Sequence, residues 1–158
     1  MSGRIFIVDT SVFLNILDVP GRNQDRESTL DALANHVQNG DHLYLPVPCI
    51  IETGNHIARL PNGHHRYRFA QDFVAAVTEA LEERAPWKAV PAIEDSELPF
   101  SELRRWLVGF PLSAKQEISL TDLTVKDLFD SFCRKFSMSY VGVWALDGHL
   151  SGHQRPLS

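Results

Sequence analysis

Apolar positions run along this chain in two alternating rhythms, short continuous blocks and longer stretches spaced at three and four. Ile5 to Val8 is a continuous block rich in β-branched residues that ends at Asp9, Thr10 and Ser11, all helix-capping types, so it predicts a buried strand leading into a helix. From Asp25 to Asn39, Leu30, Leu33, Ala34 and Val37 recur at helical spacing and Gly40 supplies the stop. His42 to Val47 predicts a second strand, followed through Pro48 by a helix whose apolar face is Ile50, Ile51, Gly54, Ile57 and Ala58. Arg66 to Arg84 repeats the helical rhythm with Phe69, Phe73, Val77 and Leu81, and Pro86 ends it. Pro86 to Pro99 is irregular and acidic. Ser101 to Phe110 predicts a short helix with Leu103, Trp106 and Leu107 inward, and Pro111 to Ser119 a connection. Thr121 or Asp122 can cap the next helix, with Val125, Phe129, Phe132 and Phe136 on its apolar side. Tyr140 to Leu146 is the last apolar block, a strand ending at Asp147 and Gly148.

Strands alternating with helices at this spacing predict an α/β fold with a parallel sheet wrapped by helices. The 158 residues fit one domain, taken as 1–153, with 154–158 as a frayed C-terminal tail. Apolar residues at 44% and charged residues at 22% are ordinary for a folded soluble domain, which excludes disordered and fibrous designs. Cys49 and Cys133 sit in apolar surroundings without a second Cys at ligand spacing, so they read as buried thiols compatible with a reducing cytoplasm. The N-terminal apolar block is too short for a signal peptide or a membrane span, so no membrane association is expected.

Asp9 and Asp147 each follow a predicted strand, and Glu52 and Asp122 each lie in the first turn of a predicted helix. In an open parallel sheet such positions gather at the carboxyl edge of the strands, where ligands bind. Carboxylates gathered there repel one another, by roughly 4 kcal/mol for a pair about 4 Å apart at an effective dielectric near 20. A cation must offset that repulsion. Hard oxygen ligands suit Mg²⁺ or Mn²⁺, and the absence of a Cys/His pattern disfavours zinc. Such a site suits in-line hydrolysis of a phosphodiester. Each acid alone has a simpler account: Asp122 as a helix cap, Glu52 as a solvated residue on a helix face. Asp9 resists this account, because Ser or Asn would cap equally well without placing a charge beside an apolar block.

The net charge of -5 runs against phosphate binding, which draws on Lys and Arg. A local basic run, Arg59, His64, His65, Arg66 and Arg68, is either an RNA contact or a solvated loop. His56 and Arg59 follow Glu52 at helical spacing and share its face, so they are candidates to touch phosphate. His149 and His153 are given no direct role.

The stretch from Ile5 to Phe13, the block Pro48 to Glu52, the segment Ser119 to Asp122 and the run Val143 to Asp147 resemble, in order and spacing, the acidic motifs of PIN domains. The resemblance spans almost the whole chain. It implies a PIN-like three-layer α/β/α fold with a central parallel sheet and an endoribonuclease activity. It further implies Asp9, Glu52, Asp122 and Asp147 as catalytic ligands of Mg²⁺ or Mn²⁺, with Thr10 and Ser11 supporting the first. Small bacterial members, the VapC-like toxins, pair with a cognate antitoxin, so the expected partners are RNA, an antitoxin and a second copy of the chain. Ala145 departs from the family's frequent Thr two residues before the last acid, and the segment from Pro86 to Ser119 exceeds a minimal toxin. The alternatives are a stand-alone PIN nuclease in RNA processing and a degenerate PIN module that only binds. A phosphatase of the haloacid-dehalogenase type fits poorly, because Ser11 stands where that family has a second Asp.

Overall fold

The computed structural model describes residues 3–91, 99–146, 148, 150, 152 and 154–155. Strand β1 (Ile5–Val8) lies at the centre of the sheet because its block is apolar on both faces, with Ile5, Ile7 and Val8 buried. It pairs in parallel with β2 (His42–Pro46) on one side and β4 (Val141–Trp144) on the other. Parallel pairing continues from β2 to β3 (Trp87–Val90), and β5 (Gln154–Arg155) closes the far edge antiparallel to β4. The order is therefore β3-β2-β1-β4-β5, a four-stranded parallel sheet with a short antiparallel addition, in a three-layer α/β/α fold.

The helices are α1 (Thr10–Ile16), α2 (Arg26–Gln38), α3 (Val47–Ala58), α4 (Gly63–Leu81), α5 (Pro99–Lys115) and α6 (Leu120–Lys135). One core fills the space between sheet and helices around Phe13, Leu45, Leu128 and Phe132, all buried. A smaller cluster of Leu14, Val19, Ile57, Leu60 and Phe69 joins α1, α3 and α4. Asn15 ties α1 to the start of α2, donating to the Ser11 carbonyl at 2.9 Å and accepting from the Asp25 N–H at 3.0 Å.

Several expectations need correction. The irregular stretch after Pro86 contains β3, an edge strand of only four residues interrupted by exposed Lys88. Helix α5 does not stop before Pro111 but runs through it to Lys115. Proline deprives one carbonyl a turn earlier of its donor, and Leu107, whose side chain is exposed rather than inward, lies on a surface where water can serve that carbonyl. Trp106 is half-buried, and the side chain of Leu103 lies outside the described residues. Leu81 and Val37, expected on apolar faces, are exposed. Gln154 and Arg155, expected to fray, pair with Gly142 and Val141. Cys49 is buried as expected, but Cys133 is only half-buried. Among the described residues no helix is long and apolar enough to cross a membrane.

Candidate functional site

Winding proceeds from β1 to β2 to β3 and then returns to place β4 on the other side of β1, so the direction reverses between β1 and β4. Parallel strands at such a reversal leave a crevice at their carboxyl ends. An open cleft of about 280 Å³ lies there, lined by Asp9, Thr10, Ser11, Glu52, His56 and Asp122 together with Leu14, Arg22 and Ser119.

Asp9 leaves β1 and caps α1, with extended backbone geometry and its carboxylate accepting from the Ser11 N–H at 3.4 Å and the Ser11 hydroxyl at 2.9 Å. Only 3% of the residue is exposed. Ser11 Oγ also accepts the Leu146 N–H at 3.1 Å, which ties the chain after β4 to the start of α1. On the other carboxylate oxygen, the Cys49 thiol donates at 3.9 Å. Burial pushes the Cys49 pKa well up and the Asp9 charge adds to it, which favours the thiol as a hydrogen-bond donor to Asp9.

Glu52 stands on α3 and accepts from the Thr10 hydroxyl at 3.4 Å. His56, one turn later, brings Nε2 to 3.8 Å from Glu52 Oε1. Burial lowers the His56 pKa, and the charges of Arg22 and Arg59 act in the same direction against the pull of Glu52. The imidazole is therefore neutral at neutral pH.

Asp122 comes from the first turn of α6, within a capping box: Ser119 Oγ accepts the Asp122 N–H at 3.0 Å, and Asp122 Oδ2 accepts the Ser119 N–H at 3.2 Å. The cap is Ser119 rather than Thr121 or Asp122, and Asp122 takes the third helical position.

Asp9, Glu52 and Asp122 thus line one cleft, joined by Thr10, Ser11 and His56. Asp147 lies outside the described residues, as do His149 and His153. Arg59 does not line the cleft: it caps the C-terminus of α3, where the backbone leaves helical geometry, and is exposed. The basic run beyond it is also exposed, and Arg66 is occupied in donating to the carbonyls of Leu60 and Pro61 at 2.6 and 3.2 Å. Two polar lining residues, Arg22 and Ser119, carry no site assignment from the sequence. Arg22 sits in a loop just after Gly21, whose φ of 78° favours glycine, and it has no periodic signature. Ser119 falls at the end of the expected connection, yet a Ser with an acid three residues on is a capping-box signal.

The donor chemistry of the cleft, carboxylate and hydroxyl oxygens with a protonated thiol behind them, suits a hard divalent cation. Among the described residues no three His, Cys, Asp or Glu side chains gather tightly enough to hold an ion. The acids instead face the cleft from separate elements, with Asp122 drawn back into its cap and Glu52 toward Thr10. Compared with protein-family models, curated proteins and solved structures, the chain matches none of them.

Proposed function

We propose that this chain is a metal-dependent endoribonuclease of the PIN type, acting in the cytoplasm, with Asp9, Glu52, Asp122 and Asp147 as the ligands of Mg²⁺ or Mn²⁺. The observation that carries the proposal is the meeting of Asp9, Glu52 and Asp122, from distant parts of the sequence, on one cleft at the switch point of the sheet. When bound, the cation supplies an activated water and offsets charge on the phosphate during in-line displacement. Ser11 and Cys49 fix Asp9 by hydrogen bonds, and Thr10 orients Glu52. Arg22 offers a positive charge to a phosphate oxygen at the same cleft. Neutral His56 can accept a proton there.

The toxin role, with a cognate antitoxin and a second copy of the chain as partners, belongs to the same proposal and rests on the motif resemblance. A short neighbouring reading frame encoding a DNA-binding antitoxin would support it over a stand-alone nuclease in RNA processing. A binding module without catalysis is the second reading. It is favoured by Asp122, whose capping box gives that acid a structural role of its own.

The test is cleavage of RNA by the purified protein. Cleavage in Mg²⁺ or Mn²⁺, abolished by EDTA, is the expected result, with little activity in Ca²⁺, whose looser and larger coordination suits this chemistry less well. Inactivity toward phosphomonoesters separates the nuclease from a phosphatase. No cleavage under any of these ions leaves the binding module.

A further inference from the structure

Glu52 borders two clefts. Beyond the acidic one lies a second, about 300 Å³, with walls formed by Pro48, Ile51, Asn55, Trp106 and Leu120 beside Glu52. Its chemistry differs sharply from its neighbour's. The walls are mostly apolar, no Lys or Arg lines it among the described residues, and Ile51 is 59% exposed to solvent. A phosphate has no counter-charge there, whereas a flat neutral group with polar edges fits.

Trp106 is held for such a role. Its indole N–H donates to the Asp127 carboxylate, which also accepts Arg105 Nη2 at 2.8 Å. The polar edge of the ring is thereby occupied on α6, and the indole joins the cleft wall as an apolar π surface. Stacking on such a surface tolerates any base. Asn55, exposed on α3, offers both a donor and an acceptor that can meet a base edge.

We infer that this second cleft is a nucleobase subsite, taking one unpaired base next to the phosphodiester held at the acidic cleft, with Trp106 as the stacking residue and Asn55 at the base edge. The inference rests on the nuclease reading of the acidic cleft, because Glu52 would then set the cleaved linkage one nucleoside away from Trp106. A base inside a duplex is already stacked on both faces and paired at its edge, so the subsite selects single-stranded positions.

The experiment uses a short single-stranded oligoribonucleotide and versions of it with an abasic site on either side of the cleaved bond, in Mn²⁺. Wild type should lose about tenfold or more in kcat/KM on one of the two abasic substrates. Trp106→Ala should remove that difference, chiefly by raising KM on the intact substrate, while Trp106→Phe retains it and Asn55→Ala weakens it. Melting curves establish that the variants fold. A second arm needs no cleavage: quenching of tryptophan fluorescence by an uncleavable methylphosphonate-linked trinucleotide, expected in wild type, reduced in Trp106→Phe, and weaker for the abasic trinucleotide. Cleavage without base dependence overturns the subsite and leaves the nuclease standing. Base-dependent quenching without cleavage supports the subsite and overturns the nuclease. Absence of both base dependence and quenching overturns the subsite outright.

Discussion

Buried acids in this chain are held in two different ways. Asp9 accepts from the Ser11 hydroxyl and the Cys49 thiol, whereas Asp41 sits between Arg4 and His36, 2.9 and 2.8 Å from its Oδ2, with its side chain only 1% exposed. Burial alone would raise the Asp41 pKa, but the hydrogen bonds from Arg4 and His36 outweigh it and hold the carboxyl below its ordinary value. His36 also packs against the rings of Phe6 and Trp144, so this pairing ties α2 to the interior strands β1 and β4. Because the folded pKa is depressed, the stability that Asp41 contributes is fully present above the unfolded carboxylate value near 4 and is lost as pH falls through the folded value. Asp41→Asn should destabilise the fold at pH 7 by about 1.5–3 kcal/mol, the range for hydrogen bonds to charged groups. Denaturation curves at several pH values check this: the gap between wild type and variant should narrow in acid, and a gap independent of pH would contradict it.

The capping box at the start of α6 serves both the helix and the cleft, since the same Ser119 and Asp122 satisfy the helix end and line the site. Ser119→Ala removes the acceptor for the Asp122 N–H and should lower unfolding free energy by about 1 kcal/mol, measurable by urea denaturation. No loss would mean that the cap is redundant. The helices and central strands were legible because their signals are local: β1 and β4 are continuous apolar blocks, and α2, α4 and α6 keep helical spacing. What was hidden depended on partners distant in sequence. Trp87 to Val90 becomes a strand because β2 offers it an edge, not because its own pattern demands it. Pro111 reads as a helix breaker unless the exposure of α5 is known. Asp9 and Asp122 were legible at the site because strand ends and helix starts converge in any parallel sheet, whereas Glu52, expected in the first turn of its helix, stands one turn further along α3. Arg22 was not, since a loop residue reaches the cleft only through the path taken between α1 and α2.

With a net charge of -5, the protein has little long-range attraction for RNA, so on the proposed reading the few cations near the cleft would carry the phosphate contacts. Arg22 lines the cleft whereas Arg59, Arg66 and Arg68 lie outside it, and Arg22→Ala should accordingly flatten the dependence of log affinity on log salt by about 0.7 for single-stranded RNA. An unaltered slope would return the contact to the basic run. The most direct test of the account concerns Asp9, where the sheet, the cleft and the proposed chemistry meet. Asp9→Asn keeps the size and the capping ability of the side chain but removes the anionic ligand. The decisive measurement is cleavage of a labelled single-stranded RNA by wild type and Asp9→Asn, both folded, in millimolar Mn²⁺. The account predicts cleavage by wild type and loss of at least about a hundredfold in the variant, the order seen when a group acting on charge development is removed. Retention of wild-type cleavage by Asp9→Asn would contradict it.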